Sequence, residues 1–216
     1  MTGESPNTAQ LQNIPDPWVR QLAALGRLRS YPKHTVFITE GDSSDSVFVI
    51  LAGKVKVFVS DSEGHEMILD TQGPGEYVGE MALDGNPRSA SVMTLEATTF
   101  SVVARDPIKE AIRNNPDFAL DMISKIIDRA RIATNSVKDL ALLDVYGRVA
   151  RLLLNLAVER DGKLAIPEKL TQQEIAERVG ASRDMVSRIF RDLTAGGYIR
   201  VDNRIITITK KPPARW

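Results

Sequence analysis

The feature that most constrains the fold is a pair of short amphipathic segments between residues 172 and 191. Apolar or small side chains recur there at helical spacing, in two runs rather than one long run: Ile175, Ala176, Val179, Ala181, Val186 and Ile189. Gly180 stands between the two runs, where a tight turn tolerates a positive φ angle. The pattern predicts two short helices packed on each other as a helix-turn-helix.

Capping residues support both helices. Thr171 precedes the first helix and Glu174 follows three residues later, which is a capping-box pattern. Ser182 is positioned to cap the second helix. Four side chains then lie on or near the polar face of that helix: Arg183, Asp184, Ser187 and Arg188. Because an arginine fork can bond both acceptors of a guanine edge, we interpret this face as a DNA reader. The alternative is a solvated helix pair in a small α domain.

The charge distribution agrees with a DNA-binding C-terminal part. The whole chain carries 28 basic and 28 acidic residues, but these are distributed unevenly. Residues 1–143 contain 14 Lys and Arg against 19 Asp and Glu, whereas residues 144–216 contain 14 against 9. A basic module on an acidic remainder predicts that only one part of the chain meets a phosphate backbone.

Composition also bears on compartment and chemistry. The 216 residues suit two modest domains, and the absence of Cys excludes disulfides, thiolate nucleophiles and cysteine-ligated iron–sulfur clusters. No apolar run is long enough to span a membrane, and the segment MTGESPNTAQ has no signal-peptide core. We therefore expect a soluble cytoplasmic protein.

Residues 34–103 show short β-type runs broken by Gly, Asp, Ser and Pro. The predicted strands are Ser46–Leu51, Lys54–Ser60, Glu66–Asp70, Ala90–Leu95 and Thr99–Val103. The run KVKVFV alternates charged and apolar residues, as a half-exposed antiparallel strand does. Before these runs, residues 1–16 are predicted to be loose and residues 17–29 to form one helix, with Leu22, Leu25 and Leu28 as its apolar side. The region predicts a small β-sandwich or barrel.

A long helix is predicted after Pro116. Its apolar or small residues follow a four-three-four-three-four spacing through Ile123, Ile127, Ala130, Thr134, Val137 and Ala141. Asp128, Arg129, Lys138 and Asp139 lie off this seam. The narrow seam favours a helix that pairs with its own copy, and the alternative is a helix packed on its own domain's sheet.

The residues after this helix predict a winged module. Leu142–Tyr146 is interpreted as a hinge, and the segment GRVARLLLNLAVE (residues 147–159) as the first helix. Beyond the helix-turn-helix, Gly196 and Gly197 end the chain's helical run. Tyr198–Val201 and Arg204–Thr209 then predict a β-hairpin with Asp202 and Asn203 as its turn.

A second concentrated motif combines Gly79-Glu80-Met81-Ala82-Leu83 with Pro87-Arg88-Ser89-Ala90. The first five residues can begin a helical turn whose free N–H groups attract an anion. Arg88 adds a cation with bidentate reach to phosphate oxygens, and Ser89 adds a hydroxyl. Glu80 can accept from a sugar hydroxyl, so a phosphate beside a ribose would use the whole motif. The alternative is a surface turn with an incidental Arg–Glu ion pair.

Three segments together resemble the cyclic-AMP receptor protein (Crp/Fnr) family of bacterial transcription factors: GEMALDGNPRSASV, DLALLDVYGRVARLLLNLA and LTQQEIAERVGASRDMVSRIFRDL. They occur in the family's order, and the similarity runs from about residue 25 to 209. The resemblance implies an α+β protein. The sequence shows no nucleophile–base pair, metal-ligand cluster or nucleotide-hydrolysing loop, so we expect that it is not an enzyme. Its parts would be a cyclic-nucleotide-binding antiparallel β-sandwich (jelly roll) at 17–115, a dimerisation helix at 116–143 and a winged helix-turn-helix at 144–216.

The resemblance also implies site residues in the effector domain. Gly79 and Glu80 would meet the ribose, with the Met81 and Ala82 backbone nearby, and Arg88 and Ser89 would meet a cyclic phosphate. Members that bind cAMP read adenine with two adjacent hydroxyl residues on the long helix, one of them from the partner subunit. Those positions are Ala133 and Thr134 here, so one hydroxyl is lost. The expected effector is cAMP, with cyclic di-guanylate or a vestigial pocket in a constitutive regulator as alternatives.

In the DNA module, Arg183 and Arg188 match the family's base-reading arginines. Asp184 stands where the best-known members have glutamate, and Met185 replaces a small polar residue. The positions at which the family contacts phosphates hold Gln172, Gln173 and Ser182. The implied partners are a palindromic DNA operator, a second copy of the chain, and RNA polymerase.

One branch of the family senses haem, so the two histidines, His34 and His65, are candidate haem ligands. Neither has a second His or a Cys at ligand spacing. We therefore expect no haem, iron–sulfur cluster or other metal in this chain.

Overall fold

The computed structural model describes residues 3–160 and 163–213, which form two compact units that divide between Arg129 and Ala130. The helices are α1 (Thr8–Gln12), α2 (Pro17–Ala24), α3 (Arg105–Asn114), α4 (Pro116–Leu142), α5 (Val145–Leu156), α6 (Gln172–Val179) and α7 (Arg183–Ala195). The strands are β1 (Arg27–Tyr31), β2 (Val36–Ile38), β3 (Ser46–Ala52), β4 (Val55–Ser60), β5 (Glu66–Gln72), β6 (Tyr77–Val78), β7 (Ser91–Thr94), β8 (Thr98–Ala104), β9 (Val158–Arg160), β10 (Lys163–Ala165), β11 (Ile199–Asp202) and β12 (Ile205–Ile208). A 3₁₀ turn covers Glu80–Asp84.

The first unit is built on two four-stranded antiparallel sheets, ordered β1-β8-β3-β6 and β2-β7-β4-β5. One hydrophobic cluster takes side chains from both sheets: Ile38, Phe48, Ile50, Val55, Val78, Val92 and Phe100. Because residues from both sheets bury one another, this cluster is the core of a sandwich. The predicted antiparallel β-sandwich is confirmed.

The β3 strand reads as a continuous apolar run because both of its faces are covered. Phe48 and Ile50 belong to the core between the sheets. Val47, Val49 and Leu51 instead pack with Trp18, Val19, Leu22, Ile108, Phe118 and Met122 from the helices. Successive strand residues point to opposite faces, so a strand buried on both sides loses its polar alternation.

The predictions for the N-terminal residues were wrong. Residues 1 and 2 lie outside the described residues, but α1 begins at an Asn7 capping box and Ile14 is buried in the helix-side cluster, so capping and burial fix residues 7–14. The helix predicted over residues 17–29 ends at Ala24, and Leu28 lies on β1, paired with Ser101 of β8. The reason is long-range pairing of the backbone with β8, which outweighs the local apolar spacing.

The interpretation of β4 as half-exposed also needs correction. Lys56, expected on the solvent side, is only 5% exposed. Its ammonium group pairs with the Glu66 carboxylate and lies 4.8 Å from the centre of the Phe58 ring. An ion pair and an aromatic face make burial of this lysine tolerable.

The long helix after Pro116 is confirmed as α4, and a further helix, α3, precedes it without having been predicted. Within α4, Phe118 and Met122 are buried in the first unit. The seam residues Ile123, Ile127 and Val137 are 49%, 45% and 65% exposed in the single chain. These three apolar side chains of the seam are therefore largely accessible in the single chain.

The second unit contains a core formed by α5, α6, α7 and a four-stranded sheet ordered β11-β12-β10-β9. The helix predicted over residues 147–159 begins earlier, at Val145, and stops at Leu156, and Val158–Arg160 forms β9 instead. The predicted C-terminal hairpin is present, but its turn is Asn203-Arg204, not Asp202-Asn203. Both turn residues have positive φ (48° and 66°), which is the twist a two-residue hairpin turn prefers.

Candidate effector site and nucleic-acid interface

Residues 79–89, here called the cassette, connect β6 to β7 in the first unit. Gly79 has a φ of 88°, and a Cβ atom at this position would lie 2.5 Å from Arg88 Nη1 and 3.0 Å from the Ser46 carbonyl oxygen. Glycine is therefore required by both the backbone conformation and the close approach of the guanidinium. The 3₁₀ turn that follows is the helical turn predicted from the sequence.

Arg88 is built into the cassette as a buried cation, only 5% exposed. Its Nη1 donates to the Gly79 carbonyl oxygen at 2.6 Å, and its Nη2 donates to the Ser46 carbonyl oxygen at 2.8 Å and to Ser44 Oγ at 2.6 Å. These bonds engage three of the five guanidinium N–H groups. Burial lowers the pKa of Arg88, and nearby carboxylates, Asp45 first among them, oppose that shift.

The remaining predicted cassette residues lie around this cation. Ser89 is exposed, and its Oγ contacts Met81 Sδ at 3.2 Å. Met81 is 63% exposed, and the Ala82 backbone belongs to the 3₁₀ turn. The Ser89 hydroxyl and the Met81 side chain are therefore accessible beside a fixed positive charge.

Glu80 is paired, and its partner was not identified from the sequence. Glu80 Oε1 lies 2.7 Å from Arg129 Nη1, and the Glu80 side chain is only 9% exposed. Arg129 Nη2 also donates to the Tyr77 carbonyl oxygen at 2.6 Å, and its guanidinium lies 4.5 Å from the centre of the Tyr77 ring. This pair joins the cassette to α4, on which Arg129 had been noted only as a residue off the seam.

The pKa values in this cluster follow from burial and pairing. Burial acts to lower the pKa of Arg129, but the charge and hydrogen bond of Glu80 outweigh it, so the pKa is raised. Burial raises the pKa of Tyr77 to about 12. Arg129 therefore stays a cation, and Tyr77 a neutral phenol, throughout the physiological pH range.

Ala133 and Thr134 lie on α4 in the second unit, four and five residues after Arg129. Both are exposed, and Thr134 Oγ1 donates to the Ala130 carbonyl oxygen at 2.9 Å. The hydroxyl of Thr134 therefore bonds its own helix in the single chain. The structure of the single chain does not bring these two residues into one unit with the cassette.

The helix-turn-helix has the local geometry predicted from the sequence. The Thr171 side chain accepts from the Glu174 amide while the Glu174 side chain accepts from the Thr171 amide, completing the capping box. Gly180 adopts the left-handed conformation at φ 62°, and the Ser182 side chain accepts from the Met185 amide at 3.2 Å. The two helices bury Ile175, Ala176, Val179, Val186, Ile189, Phe190 and Leu193.

The predicted DNA-contacting residues fall into two groups. Gln172, Gln173, Arg183 and Ser187 line a cleft of about 1040 Å³ between α6, α7 and the β11–β12 hairpin. Two arginines that the sequence analysis did not single out, Arg191 and Arg204, line the same cleft. Asp184 and Arg188 are exposed outside it, and Ser182 is exposed at the helix cap. The cleft brings the guanidinium groups of Arg183, Arg191 and Arg204 together beside α7, and such a concentration of positive charge favours contact with a phosphate backbone.

Arg148 on α5 connects the chain after α4 to the turn of the helix-turn-helix. Its Nε donates to the Val179 carbonyl oxygen at 2.8 Å, and its Nη1 donates to the Leu143 carbonyl oxygen at 3.0 Å. Nη2 lies 3.3 Å from the Gly180 carbonyl oxygen as a third acceptor. The backbone where α4 ends is thus tied to the loop that orients α7.

Two protein-family models and several known regulators match this chain. Residues 28–115 match the cyclic nucleotide-binding domain family, and residues 147–212 match the Crp-like helix-turn-helix domain family. The chain is 32% identical over 199 residues to the cAMP-activated global transcriptional regulator CRP of Salmonella typhimurium, an alignment that covers 89% of this chain and 94% of that protein. This chain belongs to the Crp/Fnr family of transcriptional regulators.

A second relative and a solved structure are also similar to this chain. The CRP-like cAMP-activated global transcriptional regulator of Mycobacterium tuberculosis is 34% identical over 181 residues, covering 82% of this chain and 80% of that protein. The c-di-GMP-responsive global regulator CLP of Xanthomonas campestris superposes with a TM-score of 0.76 at 21% identity, covering 94% of this chain and 99% of that one. The first comparison supports membership in a family of transcription regulators and not of enzymes, and the second shows the shared fold.

The described part of this Crp/Fnr regulator contains neither a candidate membrane span nor a cluster of candidate metal ligands. Within residues 3–160 and 163–213, no helix is both long enough and apolar enough to cross a bilayer. Across the same residues, no three His, Asp or Glu side chains are grouped as metal ligands.

Proposed function

We propose that this Crp/Fnr regulator is a cytoplasmic homodimer whose affinity for a palindromic DNA operator is controlled by a cyclic nucleotide, with cAMP as the first candidate. The effector class is supported by the cyclic nucleotide-binding domain match. The choice of cAMP is supported by the relatives at 32% and 34% identity, which are named as cAMP-activated regulators. We assign the effector domain to residues 17–115, the dimer helix to 116–143 and the DNA-binding domain to 144–216.

The cassette supplies the chemistry for a cyclic phosphate and a ribose. Arg88 offers its unengaged guanidinium N–H groups to the phosphate, and Ser89 adds its hydroxyl. The backbone N–H groups at Met81 and Ala82 begin the 3₁₀ turn and attract the same anion. Gly79 allows the backbone to approach the sugar, and Glu80 accepts from a ribose hydroxyl.

The single observation that carries the gating mechanism is the Glu80–Arg129 pair. A ribose hydroxyl that bonds Glu80 competes with, or adds to, the 2.7 Å contact to Arg129. Because Arg129 is part of α4, a ligand at the cassette alters the forces on that helix. A ligand shifts a conformational equilibrium only through contacts that differ between the two states, and we infer that the Glu80–Arg129 pair is such a contact.

The dimer is formed by α4 with a second copy of the chain. Exposed apolar side chains along the seam support this pairing, because they would leave water on association. In such a dimer the effector base lies against Ala133 of one subunit and Thr134 of the other. The DNA-bound arrangement places the two α7 helices in successive major grooves, about 34 Å apart. Contacts with RNA polymerase would follow from the family's role.

Cyclic di-guanylate remains a second candidate effector, since Ala133 lacks the hydroxyl that the family uses to read adenine. The third candidate function is that of a constitutive regulator, which binds its operator without an effector and whose cassette is vestigial.

Calorimetry with cAMP, cGMP and cyclic di-guanylate, followed by anisotropy of labelled operator with each nucleotide, separates these cases. We expect saturable binding of cAMP and tighter operator binding in its presence.

Arg129→Met should keep measurable nucleotide binding but reduce the effect of the nucleotide on operator affinity. Thr134→Ala should reduce the change in operator affinity that the nucleotide causes. Ala133→Thr should shift the nucleotide preference of the protein towards cAMP. Operator binding that no nucleotide changes would identify a constitutive regulator and refute gating.

A further inference from the structure

Met185 is an unusual residue for the recognition surface of α7. It is 40% exposed, whereas the other large apolar side chains of this helix are buried: Val186, Ile189, Phe190 and Leu193. Single exposed apolar residues are common on protein surfaces, so exposure alone does not indicate a role. Its position on the helix is what distinguishes it.

The helix cap fixes Met185 in the first turn of α7, because the Ser182 side chain accepts from the Met185 amide. At about 100° per residue, Met185 and Arg188 lie roughly 60° apart around the helix axis, on neighbouring parts of one side. Arg183 and Ser187 line the cleft on the opposite flank. Met185 is therefore adjacent to Arg188 at the end of α7 that first enters a major groove in helix-turn-helix proteins.

The chemistry of the groove limits what this side chain can recognise. Methionine has no strong hydrogen-bond donor or acceptor, but its thioether is flexible and polarisable and packs well on apolar groups. The apolar group that distinguishes bases in the major groove is the C5-methyl of thymine. A methionine at this position thus gains a contact at thymine that it does not gain at the other bases.

We propose that Met185 is a specificity-determining residue that packs on the C5-methyl group of a thymine next to the base pair read by Arg188. This inference rests on the proposed role of α7 as the DNA reader. It adds to the polar readout by Arg183, Asp184 and Arg188 an apolar position in each half-site.

The test removes only the methyl group. The operator is first selected from random DNA with the wild-type protein, and each thymine is then replaced by deoxyuridine, symmetrically in both half-sites. One symmetric replacement should weaken wild-type binding about fourfold per half-site, or about fifteenfold in total, from ~0.8 kcal/mol for each methyl group lost from the contact. Met185→Ala should bind the thymine and uracil operators equally.

Leu164→Ala is the matched control, because Leu164 is also 40% exposed but lies on β10, outside the cleft and α7. It should retain the full thymine-to-uracil loss. The proposal is wrong if no replacement affects the wild type, if the selected half-site has no thymine next to the Arg188 position, or if Met185→Ala shows the same loss as the wild type. A selected site without two-fold symmetry would instead refute α7 as the reader, and with it the proposed DNA function.

Discussion

At the residue scale, Arg88 combines two roles that the sequence could not separate. We propose that its guanidinium binds a phosphate, and in the structure it also donates to the carbonyl oxygens of Gly79 and Ser46. Arg88→Ala should weaken nucleotide binding by about 2–4 kcal/mol through the loss of a charge-assisted contact. It should also lower the free energy of unfolding by about 1–3 kcal/mol, because those carbonyls lose their donor.

Calorimetry and chemical denaturation measure the two effects of Arg88→Ala independently. Ser89→Ala serves as the control, since Ser89 is exposed and its removal leaves no buried carbonyl unpaired. We expect Ser89→Ala to weaken binding with little change in stability. Unchanged nucleotide affinity in Arg88→Ala would show that the cassette is not the phosphate site.

A second prediction at this scale concerns the arginines of α7. Arg183→Ala and Arg188→Ala should each relax base preference at one position of each half-site, by about 1–3 kcal/mol of discrimination. Gln172→Ala should instead weaken specific and non-specific DNA about equally, since phosphate contacts carry no sequence information. Selection from random DNA with the three variants distinguishes these outcomes. A preferred site that neither arginine variant changes would contradict the assignment.

At the element scale, Arg148 couples the end of α4 to the turn between α6 and α7. Its guanidinium bonds carbonyl oxygens of Leu143 and Val179, with Gly180 as a third acceptor. Arg148→Met keeps much of the aliphatic packing but leaves these carbonyls without their donor. We expect a loss of about 1–3 kcal/mol in unfolding free energy and faster amide exchange around Gly180.

The control for that element-scale prediction is Arg151→Gln. Arg151 forms an ion pair with Asp139 and its side chain is 46% exposed, so its removal should cost about 0–1 kcal/mol. Hydrogen exchange followed by mass spectrometry compares the two variants. If the amides around Gly180 were equally protected from exchange in Arg148→Met and in the wild type, the apolar core alone would hold the turn against α5.

At the scale of the whole molecule, α4 has an apolar seam that needs a partner. Ile127→Asp would place a charge in the middle of that interface, where no compensating cation lies on the seam. We expect a monomer at micromolar concentration in sedimentation velocity, together with a large loss of operator affinity. Lys138→Asp, off the seam, should remain dimeric. A dimeric Ile127→Asp would place the interface elsewhere.

The sequence by itself determined the local elements of this protein. Capping pairs such as Thr171 and Glu174 are three residues apart, and Gly180 adopts the left-handed turn conformation easily because it has no Cβ atom. The helical period of α4 and the strand runs of the sandwich are likewise set by neighbours in sequence. The family resemblance rests on three short segments for the same reason, and the roles it implies for the cassette and for α7 stay predictions.

Only the tertiary structure decided which distant groups meet. Residues 17–29 have the apolar spacing of one helix, but pairing with β8 places their last three residues, 27–29, in strand β1. Glu80 finds Arg129, Arg88 takes backbone carbonyls as partners, and Arg204 joins α7 at the cleft through the hairpin. These contacts join residues far apart in sequence, and a local pattern contains no information on which of many chemically equivalent arginines will be brought to a given acceptor.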